Sequence, residues 1–414
     1  MIDKTHDWNQ EHLPDWFVGV VDETIRDGLQ APRAPALGLD DKLELIGMME
    51  ATRISDVIVG MVARGEADAQ LEALLTRCRE AGYQIQTWVL SRSRIEDLEI
   101  VERIVQRSQH AVGMNIFLSL SEIRQFVEGW RPDESLAMLG RCLAFGGPRF
   151  ARVRVALEDA TRTRPEVLER AAKLACGVGV TRLCIADTAG VATPEGVKRL
   201  FGFLLERCAE LREGATALEW HGHNDRGLAV ANTLEAIASG ARYVHGTMLG
   251  IGERNGNAAL DTVLLNLRIP ASRISWPALI RYYARARGLF EELRLESHPY
   301  LGANSFATST GTHCAAIHKA MALGRPDLAK HLFSPPSYCN DARDLELLIS
   351  PISGRRAAQA VLAKLGVEAS DGIVDALLGS ARRHNRTLTE AEVVAVSRGG
   401  GGDPAQTHQT EREP

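Results

Sequence analysis

The chain has 414 residues, 45% of them hydrophobic, and a formal net charge of −5. That suffices for a large buried core, and is more than one ordinary domain takes unless the fold is a barrel. The mild acidity leaves no global basic surface, so nucleic acid is not expected as a partner.

The N-terminal stretch up to Trp16 is polar, with no apolar signal core. No segment approaches the roughly 18 uninterrupted apolar residues of a membrane helix. Seven cysteines without a CxxC pair suit a reducing cytoplasm better than a disulfide framework. A cytoplasmic protein with no membrane partner is expected. From Val18 to Gly250 a short β-rich apolar run recurs eight times, each followed by a helical pattern. The strand candidates are Val18–Asp22, Asp56–Val59, Ile85–Val89, Gly113–Leu118, Ala151–Ala156, Arg182–Ala186, Leu218–His221 and Tyr243–Met248. Apolar residues at three-to-four spacing predict helices such as Asp41–Ala51, Ala67–Ala81, Pro165–Cys176 and Pro194–Leu211. Eight strand–helix alternations over about 250 residues predict a (β/α)₈ TIM barrel in the α/β class. An open doubly wound sheet would need a phosphate-binding glycine loop after its first strand, and ETIRDGLQ is not one.

After Arg268 helices follow without strands between them: Trp276–Leu293, Thr312–Leu323, Gly354–Leu365 and Asp371–His384. The expected organisation is a barrel over residues 1–268, a helical C-terminal region over 269–397 and a glycine-rich, polar, disordered tail over 398–414. The apolar faces of those helices predict a homodimer in which they cover a barrel mouth.

In such a barrel the site lies where the strands end. Strand one runs into Asp22-Glu23-Thr24-Ile25-Arg26-Asp27-Gly28-Leu29-Gln30, and strand seven into Trp220-His221-Gly222-His223-Asn224-Asp225. Residues i and i+2 of a strand share a face, so His221 and His223 can address one ion. Asp27 can reach them when strand one closes against strand eight. One carboxylate and two imidazoles make a divalent metal site, for Mg²⁺, Mn²⁺ or Zn²⁺. A lone histidine would read as structural; HxH facing an RDG carboxylate does not. The loop Gly250-Ile251-Gly252-Glu253-Arg254-Asn255-Gly256-Asn257 permits close backbone approach, and Asn257 could supply a fourth oxygen ligand. At Asp187-Thr188-Ala189-Gly190 the alternatives are a carboxylate-binding hydroxyl and a turn with a helix cap.

DETIRDGLQ, EDATR at Glu158–Arg162, DTAG, HGHNDRGLAVAN and GIGERNGNAAL, in this order and spacing, resemble the motifs of the pyruvate-carboxyltransferase-like (DRE-TIM metallolyase) family. That family includes 2-isopropylmalate, homocitrate and citramalate synthases and hydroxymethylglutaryl-CoA lyase. Ser309-Thr310-Gly311-Thr312-His313 and Ser353-Gly354-Arg355 look like motifs of the synthases' C-terminal region. The resemblance implies that Asp27, His221, His223 and Asn257 bind the metal, Arg26 stabilises a developing oxyanion, and Gln30 and Thr188 hold substrate. It also implies that Glu253 and His313 assist proton transfer, His313 from a partner subunit. The implied activity is an acyltransferase reaction, the condensation of acetyl-CoA or a related acyl-CoA with a 2-oxo acid. A lyase running such a reaction backwards is the alternative, although GERNGN is the synthase form of the loop. A non-catalytic metal-binding barrel is the third reading.

Two departures bear on the substrate. Ile58 stands where the family usually has a glutamate. Arg154 matches an arginine with which homocitrate synthases hold a distal carboxylate, so it is expected to bind substrate and favour an anionic 2-oxo acid. A structural ion pair is the equal alternative for Arg154. Too few residues follow Leu365 for the regulatory domain of many 2-isopropylmalate synthases, so simple leucine feedback is not expected.

Overall fold

A computed structural model of the chain describes residues 13–31, 34–62, 66–267, 269–291, 307–309, 311–331, 345–351 and 353–398. The chain divides into two compact units, one spanning Glu11–Leu295 and the other built on the residues from Glu296 onward. In the first unit all eight expected strands form. They are β1 (Gly19–Asp22), β2 (Asp56–Met61), β3 (Gln86–Arg92), β4 (Gly113–Ser119), β5 (Val153–Glu158), β6 (Arg182–Asp187), β7 (Ala217–Gly222) and β8 (Tyr243–Gly246). They pair in parallel in chain order, and the barrel closes where Gly19, Val20, Val21 and Asp22 lie against Tyr243, Val244, His245 and Gly246.

Several expected boundaries move for local reasons. β8 stops at Gly246 instead of Met248 because the chain turns into a 3-10 helix at Met248–Gly250, with Leu249 at φ 67. The helix expected over Pro194–Leu211 breaks at Cys208, which is extended, giving helices Pro194–Arg207 and Ala209–Glu213. Helix Trp276–Leu289, grouped in the sequence with the C-terminal helices, packs on the barrel. The buried Tyr282 hydroxyl donates to Asp22 Oδ2 at 2.9 Å, and Arg285 pairs with Asp41 and Glu44 of helix Leu39–Thr52.

Between strands and helices lies a continuous apolar layer, with Leu45, Ile46, Met49, Leu98, Val101, Leu139, Phe201 and Leu204 all buried. Each such side chain contributes roughly 1.5–3 kcal/mol of transfer free energy. Inside the barrel the chemistry is split. Val21, Ile58, Trp88 and Leu90 form an apolar cluster, so Ile58 faces the barrel interior. Against this cluster the strands also carry charges. Arg154 is fully buried, ion-pairs with Glu219 at 2.6 Å and lies over the Trp88 ring at 4.0 Å. Arg182 pairs with Glu219 at 3.0 Å and with Asp56 at 2.9 Å. Burial alone would raise the Glu219 carboxyl, but Arg154, His245 and Arg182 outweigh it and hold it well below the carboxylate range.

Of the two readings of Arg154, this geometry favours the structural ion pair over the substrate ligand. It is the second residue of β5, far from the strand's C-terminal end, and its charge is already matched by Glu219. The expectation of an anionic 2-oxo acid loses the support it drew from Arg154 and keeps only that of Ile58.

The second unit has its own core, in which Ala358, Val361 and Leu362 of helix Arg355–Lys364 meet Val374, Leu377, Leu378 and Ala381 of helix Asp371–His384. The two C-terminal motifs meet here, since the Ser353 hydroxyl donates to the Ser309 carbonyl at 2.7 Å. Helix Gly311–Ala322 carries His313, whose side chain lies outside the described residues, as does the tail beyond Arg398.

Arg154→Ala leaves the Glu219 carboxylate buried with one partner fewer. Urea denaturation is expected to show a loss on the order of 3–5 kcal/mol. A loss under about 1 kcal/mol would mean that Arg182 and His245 suffice to neutralise Glu219.

Candidate active site

The Asp22 carboxylate accepts the Thr24 backbone N–H at 2.8 Å, starting the turn that carries Arg26 and Asp27. β7 presents Glu219, His221 and, just beyond its end, His223 on one face. Barrel closure brings the two together. Asp27 Oδ2 lies 3.8 Å from His221 Nε2 and 3.9 Å from His223 Nε2, and all three side chains are buried.

The two Nε2 atoms face each other at 3.3 Å. Burial pulls the His221 pKa down to about 3, and the neighbouring His245 and Arg26 add to the fall. Burial and the adjacent His221 bring His223 to about 4. Both rings are therefore neutral at pH 7 and present lone pairs. Burial alone would raise Asp27, but Arg26, His221, His223 and the Asn257 amide hold its carboxyl well below the usual range.

Asn257 is fixed by its Nδ2, which donates to Asp27 Oδ1 at 3.1 Å and to the Ile251 carbonyl at 3.2 Å. Its buried Oδ1 has no partner among the described residues. A carboxylate oxygen and two imidazole nitrogens thus converge, and the neighbouring Asn257 amide keeps one buried acceptor unused. This donor set fits a hard-to-borderline divalent cation. The loop that delivers Asn257 requires glycine. Gly252 has φ +151, and a Cβ there would collide with Asn257 Nδ2; Gly256 has φ +84, and a Cβ there would collide with the Gly250 carbonyl.

Arg26 sits beside the cluster with its side chain 13% exposed, ion-paired with Glu23 and, at 3.0 Å, with Asp27. Gln30 is exposed and accepts from Arg26 at 3.4 Å. The Thr188 hydroxyl accepts the Asp159 backbone N–H at 2.8 Å, and its carbonyl accepts Arg254 at 2.6 Å. The hydroxyl keeps its own hydrogen to donate. Asp187 serves the turn, accepting from Thr161, Val191 and Ala192, while Thr193 caps the next helix. The Glu253 side chain is 56% exposed at the rim, and its backbone N–H points at Asp27 Oδ1 at 3.4 Å.

Four residues were missed as members of this site. Glu219 alternates in phase with His221 and His223, a signal present in the strand periodicity, whereas Glu23 and His245 join them only through barrel closure. Glu158 ends β5 beside a cavity of about 350 Å³ lined by Arg92, Phe117, Ser119, Trp130 and Met138. Burial raises its carboxyl pKa against the lowering by Arg124, and Glu253 adds to the rise across the mouth.

The sequence pattern of the HMGL-like family matches residues 18–277. A 2-isopropylmalate synthase of Sediminispirochaeta smaragdinae is 31% identical over 257 residues, which cover 61% of this chain and 49% of that one. This chain therefore spans about half the length of that relative. A 2-isopropylmalate synthase of Bacillus anthracis is 27% identical over 403 residues, 94% of this chain and 76% of that one. Among solved structures, hydroxymethylglutaryl-CoA lyase from Pseudomonas aeruginosa superposes with a TM-score of 0.56 at 20% identity, over 67% of this chain and 94% of that chain; this likeness is one of fold. Among the described residues no helix is long and apolar enough to cross a membrane.

Because His221 and His223 stay neutral to about pH 4, Mn²⁺ affinity is expected to be nearly flat from pH 8 to pH 5.5. The sign follows from the lowered values: protons do not compete for the rings until the pH approaches them. Two imidazoles at the ordinary pKa of about 6.5 would instead lose roughly a hundredfold by pH 5.5. Calorimetric titration across this range separates the two outcomes. His221→Ala and His223→Ala should each lose Mn²⁺ binding while keeping wild-type circular dichroism; unaltered binding in either variant places the metal elsewhere.

Proposed function

The chain belongs to the HMGL-like family, and on that premise we propose that it condenses an acyl-CoA, acetyl-CoA in the simplest case, with a 2-oxo acid. The observation that carries the reading is the convergence of Asp27, His221 and His223 beside Arg26, with the Asn257 amide bonded to Asp27 and its Oδ1 left unpartnered. The synthase relatives support this direction of reaction.

A divalent ion held by Asp27, His221, His223 and Asn257 would supply Lewis acidity toward the ketone oxygen of the 2-oxo acid. Arg26 adds a fixed cation, held by Glu23 and Asp27, where that oxygen gains charge. A base takes a proton from the acyl methyl group, and the resulting carbanion attacks the keto carbon. The new alkoxide takes up a proton, and water cleaves the thioester to release free CoA thiol and a 2-hydroxy acid. Glu253 and His313 are the proton carriers that the family resemblance implies. Glu158, with its pKa raised by burial at the same mouth, is a third. Thr188 and Gln30 would orient the 2-oxo acid. A reducing cytoplasm and a homodimer belong to the same reading; light scattering at micromolar concentration tests the dimer, and a fully active monomer excludes it.

Free-thiol release from acetyl-CoA, screened against a panel of 2-oxo acids with Mg²⁺ or Mn²⁺, is the direct test. Release that depends on both metal and one 2-oxo acid is expected. Cleavage of a hydroxy acid or acyl-CoA without condensation would favour the lyase direction. Arg26→Ala is expected to lower kcat about 10²–10³-fold, as loss of an oxyanion donor does. An unchanged kcat would remove Arg26 from the chemistry.

A further inference from the structure

Barrels of this kind are ordinarily filled by layers of Val, Ile and Leu. Here a column of ionisable side chains descends from the candidate metal ligands into the interior. His221 Nδ1 lies 3.0 Å from Glu23 Oε1, and the same oxygen lies 2.6 Å from His245 Nδ1. His245 Nε2 lies 3.0 Å from Glu219 Oε2. Glu219 is held in turn by Arg154 and Arg182, and Arg182 reaches Asp56, which accepts the Trp88 indole N–H at 2.7 Å. All these residues are buried.

An ionised carboxylate only accepts hydrogen bonds. With Arg26 beside it Glu23 is read as a carboxylate, and its Oε1, within reach of two imidazole Nδ1 atoms, can take an N–H from each. A neutral His221 with its proton on Nδ1 has a bare Nε2, and that is the nitrogen facing His223 and Asp27. The second oxygen of Glu23 pairs with Arg26. One carboxylate thus touches a metal ligand and the neighbouring cation at once. Apolar side chains would fill the space below it without desolvating charges, so the column is better understood through geometry than through stability. Two further groups here are close enough to ligate an ion, but in the group of Glu23, His221 and His245 the Glu23 carboxylate already faces Arg26 and two imidazoles. Cys184, Glu219 and His245 lie close enough together to ligate one, but two guanidiniums already neutralise Glu219 and repel a further cation.

We propose that Glu23 is a positioning residue that fixes the tautomer and ring orientation of His221 for the metal, and that His245, braced by Glu219, holds Glu23 in that pose. The proposal rests on the metal-binding reading of His221, and its test uses neither acetyl-CoA nor a 2-oxo acid. Failure here leaves the condensation reaction standing, and failure of the thiol assay leaves this intact.

The first arm uses metal-free protein labelled with ¹⁵N-histidine. Long-range ¹⁵N–¹H spectra report the tautomer, and the His221 signal is the one lost in His221→Ala. Wild type is expected to be protonated on Nδ1, whereas Glu23→Gln, whose amide can offer an N–H to the ring, is expected to move the proton toward Nε2. The second arm is calorimetric Mn²⁺ titration. Glu23→Gln and His245→Gln are expected to bind about 10–100-fold more weakly, the size typical of lost support behind a metal ligand. A purely structural role would lower the melting temperature and leave Mn²⁺ affinity alone. An Nε2-protonated His221 in wild type, or wild-type Mn²⁺ affinity in folded Glu23→Gln, overturns the proposal. Should Glu23→Gln not fold, the wild-type spectrum and His245→Gln decide it.

Discussion

The parallel pairing of β1 with β8 is the constraint on which the mouth of this protein depends. Asp27 and the HxH of β7 are nearly two hundred residues apart in the chain, and no local propensity relates them. Once Gly19–Asp22 lies against Tyr243–Gly246, the turn after β1 has only the short β8 between it and β7. The loop after β8 then folds back, pairing the Asn257 backbone with that of His223 and setting the Asn257 amide against Asp27. Closure removes the open sheet edges and creates the site in one step.

The cost of this arrangement sits in the interior. A barrel lined by Arg154, Arg182, Glu219, His245 and Glu23 must desolvate every one of those groups, and mutual ion pairing is what offsets that penalty. The pairs observed supply it: two arginines meet Glu219, Arg182 also meets Asp56, and Arg154 lies over the Trp88 ring. What such a network gives in return is rigidity of charge. Catalysis by fixed dipoles and cations depends on groups that need not reorganise as charge develops, and Arg26 and His221 are both tied into it.

The same feature explains where sequence reading fell short. Arg154 matched a substrate-binding arginine by position in a motif, and an arginine on a barrel strand invites that reading. Its partner Glu219 lies two residues before His221, in plain view, but only the register of β5 through β7 shows that the two strands' inward faces meet. Helix Trp276–Leu289 was likewise grouped with the C-terminal helices because no strand follows it. The Tyr282–Asp22 hydrogen bond that binds it to the barrel is a contact over 260 positions. In both cases the deciding interaction was long-range, between residues whose local patterns were unremarkable.

Local pattern sufficed where the physics is local. Period-two and period-3.6 hydrophobicity placed all eight strands and many of the helices, because burial against a neighbouring layer is written into each segment separately. The sequence by itself also singled out Asp27, His221 and His223 as a group, and the structure brings them together, since i, i+2 spacing on a strand is a property of a short stretch. The tertiary structure alone decided which charges are spent on one another. It turned Arg154 inward to Glu219, put Glu23 behind His221 and set Glu158 beside a cavity. Pairing energies and pKa shifts depend on distances across the barrel, which the chain acquires only when β1 and β8 close it.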